Sequence, residues 1–278
     1  MSLALSLTLL DLLLRPIGSG WLRPALLVFA AAGLVLPRAR RAPLFWLALA
    51  GLAAWRVIEG WPLADNHAYL LAYWLLAAGL ALLSREPGLV LAWNARALIG
   101  LAFAFAVVWK LLSPDYLDGR FFRVTLVEDR RLEPFTRWAG GLDDEALRER
   151  RSSFGQHVDA PGLTGPAPPE PARLRTLALA ATWSALALEA AVAVAFLAPL
   201  GRCVWLRHAL LLLFCATTYA IAPVASFGWL LLAMGVAQCG PDARRTRLAY
   251  LGVFAMLVFY SDAPWLRSGT SGVAPSAW

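Results

Sequence analysis

The chain contains a single lysine, Lys110, against 24 arginines. In a composition rich in Ala, Arg and Gly, arginine serves wherever a positive charge suffices, so a lone lysine marks a position with a different demand. A lysine ammonium in an apolar site can give up its proton, whereas a guanidinium stays charged. Proton abstraction is therefore chemistry that Lys110 could perform and an arginine could not. Lys110 also lies a few residues before the polar turn Ser113-Pro114-Asp115, where a lysine can lay its stem along apolar surface and reach for lipid headgroups. Both roles are open on the spacing alone.

Other ionisable groups accompany it. Arg56 and Glu59 are three apart near the end of an apolar run, on one face of a helix, and Asp65-Asn66-His67 opens the next run. Asp115 follows Lys110 at the same kind of exit. Glu189 lies inside TWSALALEAAVAVAF, where a carboxylate must be neutral, paired or in a cavity. Trp109 and Trp74 fall within apolar runs and could line a pocket for a flat ring, or simply pack. Lys110 and His67 are the candidate catalytic groups, and Arg56, Glu59, Asn66, Trp109, Asp115 and Glu189 the candidate binding groups. The structural alternatives are an Arg56–Glu59 pair, a helix cap at Asp65 or Asn66, and pairing of Glu189 with an arginine on a neighbouring helix. The three histidines, His67, His157 and His208, lie far apart, and no metal site is expected. Cys203, Cys215 and Cys239 form no Cys-x-x-Cys, which argues against a thiol oxidoreductase.

The elements that must position these groups follow from composition. Of 278 residues, 60% are hydrophobic and 15% charged, with a mean hydropathy of +0.62; a soluble domain would need more charge to cover its surface. Apolar runs at about 21–36, 43–58, 67–83, 90–112, 174–198, 203–222, 226–238 and 247–262 predict an all-α polytopic integral membrane bundle of seven or eight spans. Every other connection is basic: Arg38, Arg40 and Arg41; Arg85 and Arg96; Arg202 and Arg207; Arg244, Arg245 and Arg247. By the positive-inside rule these face the cytoplasm, and residues 113–172 and the C-terminus face outward. The net charge of +7 therefore belongs to loops rather than to a nucleic-acid surface, because 113–172, with eight arginines and eleven carboxylates, carries −3 and the remainder +10. The expected plan is an interfacial N-terminal helix at 1–20, membrane helices over 21–112, an external cap and Pro/Gly linker over 113–172, membrane helices over 173–262 and an external tail at 263–278. Within the cap, 113–128 reads as a turn and aromatic stretch and 129–155 as helical, with Phe121, Phe122, Leu126, Phe135, Trp138, Leu142 and Leu147 as its docking contacts.

Asp65-Asn66-His67-Ala68-Tyr69-Leu70-Leu71, followed by Phe105-Ala106-x-x-x-Lys110-Leu111 and Asp115-Tyr116-x-x-Gly119, resembles the horizontally transferred transmembrane (HTTM) family, which includes the vitamin K-dependent gamma-carboxylases. The resemblance covers residues 45–125; small DoxX-like membrane proteins share a related helix pattern. It implies that Lys110 is the base that deprotonates a hydroquinone, and that a quinone or hydroquinone is the cofactor. The expected function is then quinol-dependent base chemistry at an outer-leaflet site, on a lipid-soluble or exported substrate, in a bacterial inner (plasma) membrane. The alternative is a non-enzymatic accessory subunit of a membrane-protein complex that docks through 113–172. The expected partners are the lipid bilayer and either complex partners or an exported substrate, without nucleic acid. Transport, with Glu189 as a proton-coupling group, is a third reading that lacks an inverted repeat to support it.

Overall fold

The structure is a computed structural model that describes residues 1–14, 17–18, 20–159, 171–199, 204–221 and 225–262. It is helical, without a strand among the described residues. The helices are α1 (Ser2–Leu14), α2 (Leu22–Val35), α3 (Pro37–Arg41), α4 (Pro43–Glu59), α5 (Asn66–Leu82), α6 (Pro87–Leu111), α7 (Pro114–Leu117), α8 (Arg120–Glu128), α9 (Glu133–Gly140), α10 (Asp144–Asp159), α11 (Ala172–Leu197), α12 (Val204–Ile221), α13 (Ala225–Ala237) and α14 (Arg244–Asp262), with a 3-10 turn at Arg130–Leu132. All eight apolar runs are helical. Proline sets several starts: Pro37, Pro43, Pro87 and Pro114 each occupy a first helical position, where the missing N–H costs nothing and the fixed φ suits the helix.

Among the described residues, two helices are long and apolar enough to cross a membrane, α6 and α11, at 25 and 26 residues. Only 28% and 33% of their apolar stretches are buried, whereas a core helix of a soluble domain would be mostly buried. The unburied faces carry large apolar side chains, among them Trp93, Phe105 and Trp109 on α6 and Trp183 and Val194 on α11. The other apolar helices are shorter: α1, α2, α5 and α13 have 13 to 17 residues, below the roughly 20 that a perpendicular crossing takes.

The chain divides into two compact units, Met1–Ala102 with Ala195–Trp278, and Phe103–Val194. In the first, α4 packs along α5, and α12, α13 and α14 pack on one another. Residues 1–14, expected at the membrane interface, form α1, which packs against both α2 and α13 and buries Leu5, Leu9 and Leu12. Its Thr8 hydroxyl accepts from the indole N–H of buried Trp74 at 2.9 Å, so Trp74 is a packed core residue. Gly79 of α5 lets α4 approach closely, since a Cβ there would meet Leu47 Cδ2 at 2.7 Å.

Two arginines of this unit finish the end of α11. Arg96 Nε donates to the Phe196 carbonyl at 2.7 Å and its Nη2 to that of Ala198 at 3.0 Å, while buried Arg207 donates to Ala195 at 3.1 Å. The last carbonyls of a helix have no partner within it and attract positive charge, which explains two guanidiniums among apolar helices.

In the second unit, α7 to α10 form a small helical cap. Leu126, Leu132, Leu142 and Leu147 are buried inside it. The Thr136 hydroxyl donates to the Leu126 carbonyl at 2.8 Å, and Arg151 joins the Val127 carbonyl at 2.7 Å to the Glu133 carboxylate at 2.8 Å. The stretch expected as a turn and aromatic segment, 113–128, contains helices α7 and α8. The helical expectation for 129–155 resolves into the 3-10 turn, α9 and α10, divided at Gly141, whose φ of +68° ends α9 in the left-handed region. Asp143 caps α10 by accepting the Ala146 N–H at 2.8 Å.

Candidate functional site

Within the second unit, the last turn of α6 delivers Lys110 to Glu189 of α11. The ammonium donates a hydrogen bond to Glu189 Oε1, and the two side chains are 22% and 11% exposed. Glu189 lies 17 residues into α11, roughly 25 Å along its axis. Lys110 therefore turns toward α11 to meet a carboxylate, and Glu189, expected either to pair with an arginine or protonate, or to join the Lys110 site, pairs with the chain's lysine.

A third residue completes the cluster. After α6 ends, Pro114 opens the four-residue helix α7, and that turn folds Tyr116 back until its ring centroid is 5.1 Å from Lys110 Nζ. Tyr116 is 5% exposed and packs against Phe121 and Phe122 at 5.5 and 5.8 Å between centroids. Burial, and then the nearby Glu189 carboxylate, push its hydroxyl above the ordinary tyrosine range, which keeps it a neutral O–H. Gly119 closes the motif. Its φ of +79° suits glycine, and a Cβ there would come within 3.0 Å of Leu179 Cδ2. The aromatic and glycine positions of the Asp-Tyr-x-x-Gly pattern thus have concrete jobs, a wall for the ammonium and a close approach to α11.

The cluster is only partly satisfied. Glu189 Oε2 and the Tyr116 hydroxyl are both buried without a hydrogen-bond partner. Lys110 is its more accessible edge.

The remaining candidates divide between the two units. Trp109 is 77% exposed and Asp115 is spent on the surface, where it accepts from Arg120 Nη1 at 2.8 Å. Arg56, Glu59, Asn66 and His67 belong to the first unit, and Trp109, Lys110, Asp115 and Glu189 to the second. In the first unit, Glu59 accepts from Trp55 Nε1 at 2.9 Å. Asn66 is the exposed first residue of α5, and Asp65 stands at the cap position without a capping bond. His67 Nε2 lies 3.9 Å from Asp65 Oδ2.

Tyr116 is the member that spacing did not single out, although the quoted motif contains it. A lysine and a tyrosine six apart across Ser-Pro is the signal, because the proline starts a new helix and reverses the chain. Among the described residues no three His, Cys, Asp or Glu side chains gather as a metal site. Cys215 and Cys239 are free thiols, and Cys203 and the side chain of His157 lie outside the described residues. His208 of α12 shares a 2.9 Å hydrogen bond with Tyr250 of α14. The chain matches no family model, no curated protein and no solved structure.

Proposed function

We propose that the chain is a polytopic protein of a bacterial inner membrane, with its eight long apolar runs as membrane helices, and that the Lys110–Glu189 pair exchanges protons with a lipid-soluble hydroxyl compound of the hydroquinone class. Lys110 stands out as the chain's single lysine, and the HTTM-like resemblance implies a base at that position. The observation that carries the reading is the half-satisfied state of the cluster, with Glu189 Oε2 and the Tyr116 hydroxyl buried and unpartnered. Taking a lysine and a glutamate out of water costs several kcal/mol per ion, and well-packed apolar residues usually serve as well or better where only stability is at stake. An ion pair kept among apolar helices with hydrogen-bonding capacity left over therefore speaks for chemistry.

The chemistry follows from the pair. A proton passing from Lys110 Nζ to Glu189 Oε1 leaves an amine on the accessible edge and a carboxylic acid behind it. That amine can accept the proton of a substrate hydroxyl, and the nearby positive charge then formed on Lys110 stabilises the oxyanion. A hydroquinone fits these residues: it supplies an acidic hydroxyl to Lys110 and a flat ring beside the Tyr116 and Phe122 aromatics. When bound, it would supply the reducing equivalents that no side chain here provides.

The test is purification from native membranes in mild detergent, with the extracted lipids and co-purifying proteins analysed together. A quinone retained by the natural protein and lost from Lys110→Met is expected. A stoichiometric protein partner with no retained quinone would replace this reading with that of an accessory subunit.

A further inference from the structure

The cap carries three apolar side chains that its own packing leaves outside. Phe121 and Val124, three apart on one face of α8, are 51% and 38% exposed, and Trp138 of α9 is 78% exposed. Leu126, Leu142 and Leu147, expected among the docking contacts, are instead buried inside the cap, and Phe121 and Trp138 stand outside that core.

Their height along α11 is fixed by bonds and close approaches. Arg173 Nε donates to the Ala139 carbonyl at 2.7 Å and its Nη2 to that of Trp138 at 3.2 Å. A Cβ on Gly140 would meet Leu174 at 3.6 Å and Leu177 at 3.8 Å, and one on Gly119, two residues before Phe121, would meet Leu179. All these partners fall in residues 173–179, a rise of about 9 Å at the start of α11. Glu189 is ten residues deeper, or about 15 Å. Helices α8 and α9 thus collar the outer end of a helix long enough to cross a membrane, and they hold exposed aromatics where the polar–apolar boundary of such a helix belongs.

We infer that this collar docks on a lipid bilayer surface, with Phe121, Val124 and Trp138 inserted at headgroup depth around the outer end of α11. The inference rests on the membrane reading of α6 and α11. Charge attraction is not what holds the collar down, since Arg120, Arg131, Arg137 and Arg151 are matched by Asp115, Asp129, Asp144 and Glu133. Docking is apolar, and it places the Lys110–Glu189 pair beneath a lipid-seated rim instead of beneath an aqueous loop.

The experiment is spin-label depth measurement on the full chain in phosphatidylcholine–phosphatidylglycerol nanodiscs, in a background without native thiols. Labels replace one residue at a time: Phe121→Cys, Val124→Cys and Trp138→Cys in the collar, Phe105→Cys on the exposed face of α6, and Ser152→Cys on exposed α10. Collision with oxygen reports lipid, and collision with a water-soluble nickel chelate reports water. The expected result is a loss of nickel accessibility at 121, 124 and 138 relative to 152, with depths shallower than at 105, unchanged in high salt. Collar labels as accessible to nickel as 152, with 105 still deep, would overturn the collar proposal and leave the membrane reading standing. Collar labels shielded from both reagents would show a protein partner there, which also overturns it. A water-accessible label at 105 would overturn the membrane reading itself. If Trp138→Cys fails to fold, Phe121→Cys and Val124→Cys decide the question.

Discussion

At the level of single residues, Lys110 and Glu189 answer two questions that one substitution cannot separate. Removing Glu189 alone strands a buried ammonium, so Glu189→Leu should lower stability by about 3–5 kcal/mol. Removing both charges removes the penalty, and the double variant Lys110→Met with Glu189→Leu should recover most of that loss in thermal unfolding in detergent. If the pair is there for proton exchange, the recovered protein still fails to retain quinone. Lys110→Arg preserves charge and pairing but cannot release a proton near neutral pH, and it too should fold and be inactive. A double variant that keeps quinone, or a fully functional Lys110→Arg, would reduce the pair to a structural clamp. The lysine was legible because its type is unique in the chain. Its partner was not, because 79 residues separate them and only the helix register shows that the last turn of α6 meets α11 at Glu189. His67, Arg56, Glu59 and Asn66 were grouped with Lys110 because they share one end of the apolar runs, a criterion that fixes a level along the helices; they belong to the first unit and Lys110 to the second.

Among the elements, the cap is held by polar bonds that should respond to acid. Burial acts to raise the Asp129 carboxyl, but the Arg131 guanidinium and backbone N–H, at 2.6 and 2.9 Å, outweigh it and hold the group below the usual carboxylate range. Asp118 is likewise lowered, first by the Arg120 backbone N–H. A carboxyl depressed in the folded state stabilises it fully above the unfolded value of about 4, and that contribution is lost as pH falls through the folded value. The cap should therefore be indifferent to pH between 6 and 8 and loosen below about pH 4, seen as faster amide exchange in residues 120–150 while α6 and α11 remain protected. Asp129→Asn should cost about 1 kcal/mol at neutral pH and remove part of the acid response. An acid response unchanged in Asp129→Asn would sink this account. The helical state of 129–155 was readable, whereas Ser113-Pro114-Asp115 read as a turn and opens the short helix α7. Helix α8 was not, because Arg120-Phe121-Phe122-Arg123 mixes charge and aromatics without a clear period, and its helical state depends on Gly119 turning the chain onto α11.

For the whole molecule, the all-helical class and the position of all eight apolar runs were legible, since hydrophobic length alone sets them. The division into two units was not. It falls within α6 and α11, where composition does not change, so no linker marks it. Helix α1 shows the same limit: MSLALSLTLLDLLL has apolar residues on every side, and only its burial against α2 and α13 makes it a packed member of the first unit. In the membrane reading proposed here, orientation rests on charge. Arg40 of the basic α3 reaches Ser6 near the start of α1 at 2.8 Å, and Met1 lies close enough to Arg247 for the guanidinium to disfavour its ammonium, after burial. Those contacts put the basic connections before α4 and α14 at the same end of α1. If that end is cytoplasmic, a cysteine at Ala243 should react with an impermeant maleimide only after the cells are opened. A cysteine at Ser152, in the cap, should react in intact cells. Both measurements use variants whose unlabelled activity matches the parent, and reversal of the two would turn the protein over in the membrane, placing Lys110 near the cytoplasmic leaflet.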